Sequence, residues 1–309
     1  MPERFTVRSK DGVEISVQKA GSGPALLLVH GSLLNGAISW GAMLPRLAER
    51  FTVYAMDRRG RALSGDAPQY SISNEADDIV AVVHSIGGPA AVLGHSYGAR
   101  AALEALDRLE SVSHLILYEP PITFETGDLG PLLTMERALE AGDREQILKI
   151  FLTAQVQMPE EGLAMMRSSP LWPVVLDISP TLPRESRTVN TRRLATGPLA
   201  NWKTPSTILL GSETAGMLRD AAFFVQKNIP GCRMIILEGQ GHRANIDAPD
   251  YLAAKIIEIV TAPSRSSSHT ADCGPSMTSS VTSSPRRAGR QCRNTASGLA
   301  SAISSASTR

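Results

Sequence analysis

The chain has 309 residues, of which 42% are hydrophobic and 20% charged, and its formal net charge is +1. This length suits one large α/β domain with a smaller insertion, and the balanced charge gives no electrostatic reason to expect nucleic acid or an acidic membrane surface as a partner. No apolar run approaches the roughly 20 residues of a membrane span, and the N-terminal segment lacks the apolar core of a signal peptide.

The cysteine pattern points to a reduced compartment. Cys232, Cys273 and Cys292 have neither the number nor the spacing of a disulfide framework, and they form no metal-ligand motif. We therefore expect a cytoplasmic protein that uses no metal and no other cofactor.

The N-terminal part of the chain predicts a hairpin followed by alternating strands and helices. Residues 4–9 and 13–19 alternate apolar and polar side chains around Asp11-Gly12, which is a hairpin signal. The alternation beyond it predicts a mostly parallel sheet with helices on both faces. The predicted elements are strand 25–29, helix 38–49, strand 51–56, helix 73–86 capped by Ser73, strand 90–93, helix 99–109 and strand 112–118.

The pentapeptide Gly94-His95-Ser96-Tyr97-Gly98 spells G-x-S-x-G between a predicted strand and a predicted helix. A serine on such a tight turn projects its hydroxyl into the open, and the flanking glycines avoid clashes within the turn. The N–H groups at the start of the following helix point to where a negative oxygen forms during acyl transfer. Ser96 is therefore the predicted nucleophile.

The alternation breaks between residues 121 and 203, where helical runs and prolines replace strands. We interpret 121–203 as a helical cap inserted into an α/β core formed by residues 1–120 and 204–262, in which strand 207–210, helix 217–228, strand 233–237 and helix 249–260 resume the pattern. The cap side chains expected to line an apolar substrate pocket are Met165, Met166, Leu171, Trp172 and Leu176.

From about residue 263 onward Ser, Thr, Arg and Gly dominate the sequence. Such a composition buries too little surface to offset the entropy of ordering. We expect 263–309 to be a disordered tail, and two origins stay open for it: a basic tail that serves a partner, or a non-native extension.

A serine nucleophile needs a base, and the base needs a carboxylate that holds its tautomer. His242 follows a predicted strand within Gly-Gln-Gly-His and comes after the serine, in the order Ser, acid, His. Two glutamates stay open as the acid. Glu119 ends the strand after the nucleophile, whereas Glu213 follows strand 207–210, one position before Thr214, where an aspartate is usual.

The oxyanion hole needs two N–H donors. Tyr97, directly after the nucleophile, is expected to supply one of them, and Ser32, in the turn after His30-Gly31, is expected to supply the other.

Taken together, these motifs resemble the α/β-hydrolase family over about residues 4–262. The residues that carry the resemblance are His30-Gly31, Asp57-Arg58-Arg59-Gly60 with Ser64 downstream, Gly94-His95-Ser96-Tyr97-Gly98, and Gly241-His242. The resemblance implies the α/β-hydrolase fold and a serine hydrolase with a helical cap, similar to the esterase, lactonase and haloperoxidase-like branch.

In relatives such as the haloalkane dehalogenases the acid follows the strand after the nucleophile, and this favours Glu119. Two positions depart from the family pattern. Ala62 stands where a second glycine is usual, and Thr214 stands where the acid is most common.

We predict hydrolysis of a small ester, thioester or lactone through an acyl-enzyme, with the small acyl substrate as the predicted partner and neither nucleic acid nor membrane involved. Carbon–carbon bond hydrolysis and cofactor-free perhydrolysis use the same residues and stay open. So does a ligand-binding protein with little turnover, which the departure at Thr214 favours. The sequence leaves the oligomeric state open.

Overall fold

Eight strands form one sheet within residues 3–262, the part of the chain that a computed structural model describes. The strands are β1 (Glu3–Arg8), β2 (Glu14–Ala20), β3 (Ala25–Val29), β4 (Thr52–Met56), β5 (Ala90–His95), β6 (Val112–Tyr118), β7 (Ser206–Gly211) and β8 (Arg233–Leu237). Their order across the sheet is β1-β2-β4-β3-β5-β6-β7-β8. Strand β2 pairs antiparallel with β1 and β4, and all other pairs are parallel. The predicted mostly parallel sheet is confirmed.

Helices connect the strands. They are α1 (Gly36–Trp40), α2 (Leu44–Ala48), α3 (Ile72–Ile86), α4 (Tyr97–Glu104), α5 (Gly130–Glu140), α6 (Arg144–Ile150), α7 (Glu160–Arg167), α8 (Trp172–Ile178), α9 (Leu182–Thr191), α10 (Thr196–Asn201), α11 (Gly216–Asn228), α12 (Ala244–Asp247) and α13 (Pro249–Thr261). A π-helical turn, Phe151–Gln155, continues α6, and a 3₁₀ turn, Ser179–Thr181, precedes α9. No described helix is long and apolar enough to cross a membrane.

The central strands are buried on both faces, as their continuous apolar runs require. In β3, Leu27 and Val29 pack into one apolar cluster and Leu26 and Leu28 into the other, on opposite sides of the sheet. Helices cover both faces. Because the strands from β4 to β8 across the sheet are parallel, their carboxyl ends meet at a single edge.

Three predicted helix boundaries are corrected. The single helix expected over 38–49 is two short helices, α1 and α2, because proline is tolerated only in a first helical turn and Pro45 is the second residue of α2. Ser73, the predicted N-cap residue, lies inside α3. The N-cap of this helix is Ser71, which forms a reciprocal capping box with Asn74. The helix expected over 99–109 is α4, which starts directly after Ser96.

Helices α5 to α10 lie between β6 and β7; α5 to α9 share their own apolar cluster, whereas Leu199 of α10 packs into one of the clusters of the sheet. Leu33 and Leu34, which follow the β3 strand end, pack against this cluster. Sheet and inserted helices belong to one compact unit. The predicted tail 263–309 lies outside the described residues, and the boundaries proposed for core and cap remain predictions.

Candidate active site

Ser96 lies on the turn between β5 and α4 with a strained backbone, φ 54° and ψ −124°. Its N–H donates to the Tyr118 carbonyl over 2.8 Å, which ties the turn to the neighbouring strand β6. A non-glycine residue is held in this sparsely populated region only when its surroundings fix it, and such positions concentrate at functional sites.

The glycines of the pentapeptide permit close backbone packing. A Cβ on Gly98 would lie 2.4 Å from the Val29 carbonyl oxygen, and one on Gly94 would lie 2.5 Å from Ala99 Cα. A Cβ on Gly31 would lie 2.9 Å from Ser96 Cβ, so the turn after β3 runs directly beside the serine.

A buried carboxylate lies against the loop histidine at this edge of the sheet. Glu119 is fully buried, and its Oε2 accepts a 2.6 Å hydrogen bond from His242 Nδ1. Its Oε1 accepts from Gly211 N–H at 2.8 Å and from the Thr214 hydroxyl at 2.6 Å. The contact at Nδ1 leaves Nε2 of His242 available as a base.

Glu213, the second sequence-based choice of acid, is exposed, and its backbone N–H donates to the Gln240 carbonyl at 3.0 Å. The structure therefore brings Glu119, and not Glu213, to His242. The physical reason is a one-residue offset: Thr214 takes the inward-facing position after β7, and its hydroxyl donates to Glu119.

Two side chains that the sequence reasoning missed hold the histidine loop. His95 Nε2 donates to the His242 carbonyl at 2.9 Å, and the two imidazole rings lie 4.8 Å apart between centroids. Burial, reinforced by the neighbouring His242, lowers the pKa of His95 to about 3, so this imidazole is neutral. The Tyr118 hydroxyl donates to the Gly241 carbonyl and accepts from Ala244 N–H. The sequence signal that could have identified His95 and Tyr118 is that each directly precedes a candidate catalytic residue, Ser96 or Glu119.

Of the two residues expected to lend oxyanion donors, Tyr97 follows Ser96 in the chain and Ser32 belongs to the turn that runs beside Ser96. Tyr97 is the first residue of α4, so its N–H has no acceptor within the helix. Ser32 follows Gly31, the residue whose backbone runs beside Ser96. The carbonyl of Ser32 accepts from Arg61 Nη2 at 2.8 Å, and the carbonyl of Gly31 accepts from Arg58 Nη1 at 3.0 Å.

The cap residues expected at the substrate pocket do not share one environment. Met166, Trp172 and Leu176 are half-buried and pack against the cap cluster that Leu33 also contacts. Met165 is 76% exposed and does not belong to this cluster, so the expectation for it is wrong. Leu171 is half-buried. Within residues 3–262 no group of three or more His, Cys, Asp or Glu side chains is arranged to hold a metal ion.

The sheet order, the strained serine turn and the inserted helices define an α/β hydrolase. The chain belongs to the alpha/beta hydrolase family, whose model matches residues 26–255.

Comparisons with known proteins agree with this assignment. The chain is 25% identical over 264 residues to the 2-(acetamidomethylene)succinate hydrolase of Mesorhizobium japonicum, covering 81% of this chain and 92% of the relative. It is 37% identical over 107 residues to the N-formylmaleamate deformylase of Pseudomonas putida, covering 33% of this chain and 40% of that protein. Among solved structures, an alpha/beta hydrolase from Sphaerobacter thermophilus superposes with a TM-score of 0.74 at 31% identity, covering 83% of this chain and 100% of the other.

Proposed function

We propose that this hydrolase cleaves small acyl compounds through an acyl-enzyme on Ser96, with His242 as general base and Glu119 as the triad acid. The observation that carries the proposal is the 2.6 Å contact between Glu119 Oε2 and His242 Nδ1 at the sheet edge where Ser96 lies on its strained turn. The acid holds the imidazole tautomer and stabilises the imidazolium that forms during attack.

In the first half-reaction the Ser96 hydroxyl oxygen attacks the acyl carbon while His242 Nε2 takes the hydroxyl proton. The N–H groups of Ser32 and Tyr97 bind the resulting oxyanion. Collapse of the intermediate breaks the bond to the leaving group, which receives the proton from His242. A water molecule, deprotonated by the same imidazole, then attacks the acyl carbon. The bond to the Ser96 oxygen breaks, the imidazolium returns the proton to that oxygen, and the acid is released.

Esters, thioesters and lactones are the substrates proposed from the sequence, and the relatives add a further bond type. The names of two relatives denote an acetamido compound and an N-formyl compound, which supports acyl–nitrogen bonds as substrates beside acyl–oxygen bonds. Matched pairs of an ester and an anilide with the same acyl group, assayed for kcat/KM, rank the two bond types. A substrate with a cleavable carbon–carbon bond, and an ester assayed with hydrogen peroxide as the acyl acceptor, belong in the same panel.

Ser96→Ala tests the mechanism. We expect turnover of p-nitrophenyl acetate to fall about 10⁶-fold, because the nucleophile and its base act as one unit. Ser85→Ala is the matched control, since the Ser85 hydroxyl is exposed and donates only to the Val82 carbonyl of its own helix. Hydrolysis retained by Ser96→Ala would refute the mechanism.

A fluorophosphonate probe separates an enzyme from a ligand-binding protein of the same fold. We expect mass spectrometry to locate the label on Ser96 in the wild type and to find none in Ser96→Ala. An unlabelled wild type would favour the ligand-binding alternative.

A further inference from the structure

Four charged side chains are buried together behind the turn that contains Ser32. We call Arg58, Arg61, Glu75 and Glu185 the arginine cluster; each is at most 2% exposed. Arg58 forms a bidentate pair with Glu75, both distances being 2.6 Å. Glu185 Oε1 accepts from Arg58 Nη2 at 2.7 Å and from Arg61 Nη2 at 2.6 Å. The same arginines reach the turn beside Ser96.

The arginines fix two successive peptide groups of that turn. The Gly31 carbonyl accepts from Arg58 Nη1 at 3.0 Å and from His30 Nδ1 at 2.8 Å, and the Ser32 carbonyl accepts from Arg61 Nη2 at 2.8 Å. In a planar trans peptide, the carbonyl and the N–H of the next residue point in opposite directions. Holding the Gly31 carbonyl on Arg58 therefore fixes the direction of the Ser32 N–H.

The cluster also contacts the other residue proposed for the oxyanion hole. The guanidinium carbon of Arg58 lies 4.6 Å from the centre of the Tyr97 ring. The Tyr97 hydroxyl lies 2.7 Å from the hydroxyl of Tyr70, which in turn donates to Glu75 at 2.8 Å. The arginine cluster therefore contacts both residues proposed for the oxyanion hole, Ser32 and Tyr97.

Glu185 is the member that comes from the cap, on helix α9. Its contacts with the arginines span sequence separations of 127 and 124 residues. Two guanidinium groups face two carboxylates, so loss of either negative charge leaves an uncompensated buried positive charge. Burial lowers the pKa of Arg61, and the neighbouring Glu185 carboxylate opposes this change. The buried positive charge of Arg61 is therefore stabilised by Glu185.

We propose that Glu185 is a positioning residue of the reaction: acting through Arg58 and Arg61, it holds the oxyanion turn in the orientation that presents the Ser32 N–H. This inference rests on the proposed function, in which Ser32 lends an oxyanion donor. Helix α9 of the cap would then control the rate of the chemical step as well as covering the site.

Glu185→Gln is the test, because glutamine keeps an acceptor oxygen and removes the charge. An oxyanion donor acts on the transition state, so its misorientation lowers kcat and leaves KM nearly unchanged. We expect kcat for p-nitrophenyl acetate to fall about 10- to 100-fold, less than the roughly 10²- to 10³-fold loss on removing a donor outright. The Ki of trifluoroacetophenone, which forms an oxyanion on the serine, should rise by the same factor.

Two control variants separate positioning from general stability. Asp78→Asn removes an equally buried carboxylate from Arg59, whose donors reach Asp11, Asp78 and the Asn74 carbonyl rather than the oxyanion turn. Asp66→Asn removes the negative charge that Arg184 of the same helix α9 contacts through both its terminal nitrogens, at 2.9 and 3.0 Å. We expect both controls to lower the melting temperature while kcat of the folded enzyme stays within about twofold of wild type.

The outcomes are distinct. If Glu185→Gln keeps the wild-type kcat, or raises it, at an unchanged fold by circular dichroism, the inference is wrong. If kcat falls equally in Asp78→Asn or Asp66→Asn, the role is structural and the inference also fails. If Ser96→Ala keeps activity and the wild type is not labelled by fluorophosphonate, the proposed function itself has failed, independently of Glu185.

Discussion

The neighbouring strands β6 and β7 end at the same edge of the sheet but contribute differently to the candidate site. Strand β6 is followed at once by Glu119, buried and with a left-handed backbone, φ 48°. Strand β7 is followed by a turn that exposes Glu213 and turns the Thr214 hydroxyl inward, onto Glu119. One strand end supplies the carboxylate and the other supplies its hydrogen-bond donors. The geometry thus places one buried, hydrogen-bonded carboxylate against His242, and this carboxylate comes from the β6 end.

The largest expected effect is at the β6 end. Glu119→Gln keeps the side-chain shape and removes the charge that fixes the His242 tautomer, so we expect kcat to fall about 10⁴-fold. The measurement is steady-state hydrolysis of p-nitrophenyl acetate. Glu213→Gln is the matched control at the β7 end, and its kcat should stay within about twofold of wild type. A larger loss of kcat in Glu213→Gln than in Glu119→Gln would mean that the β7 end, and not the β6 end, supplies the acid.

A smaller effect is expected from the Thr214 hydroxyl. Thr214→Val removes a donor from a buried carboxylate while Gly211 N–H remains, and the lost hydrogen bond to a charged group corresponds to about 1.5 kcal/mol, or roughly tenfold in kcat. Thr134→Val, at a half-buried position on α5 whose hydroxyl donates to the Gly130 carbonyl, should leave kcat unchanged. Wild-type kcat in a folded Thr214→Val protein would mean that β7 contributes only its backbone.

The last effect concerns stability rather than rate and appears only below neutral pH. His95 packs against Tyr118 of β6 and against His242, and burial lowers its pKa to about 3. Between that value and the unfolded value of 6.5, the unfolded chain binds the extra proton. The stability contributed by neutral His95 is therefore complete above pH 6.5 and is lost as the pH falls, by up to about 1.4 kcal/mol per pH unit.

Urea unfolding of wild type and His95→Asn, at about pH 7.5 and about pH 5, measures this contribution. As the pH is lowered from about 7.5 to about 5, the free energy of unfolding should fall more in the wild type than in His95→Asn. Burial also lowers the pKa of His30 and His114, but both proteins retain these residues, so their contribution cancels in the difference. Parallel pH dependences would mean that His95 is not held neutral by the fold.

Much of the architecture could be predicted from the sequence because its signals are local. The hairpin around Asp11-Gly12 and the Ser96 turn are defined by residues adjacent in the chain, and the structure contains both elements. The prediction failed where one residue changes the geometry, as at Pro45, which divides the expected helix in two.

The acid could not be chosen from the sequence, since Glu119 and Glu213 both follow parallel strands. The direction of the Glu119 side chain depends on a left-handed backbone, and that of Glu213 depends on a one-residue offset from the inward-facing position. Neither feature produces a periodic pattern in the sequence. The arginine cluster could not be predicted from the sequence for a different reason. Arg58 stood out in the motif, but its partner Glu185 lies 127 positions away, on a helix whose packing no local pattern encodes.

The backbone of Ser96 and Glu119 has a consequence for how this protein would change under selection. Both are non-glycine residues with positive φ, 54° and 48°, and such conformations cost about 1–3 kcal/mol each. Glycine would relieve the strain at either site, but at Glu119 it would also remove the acceptor of three hydrogen bonds. At Ser96, where the proposed mechanism needs the hydroxyl, a screen for heat resistance alone would select against activity, and only a screen that also scores activity would keep the serine.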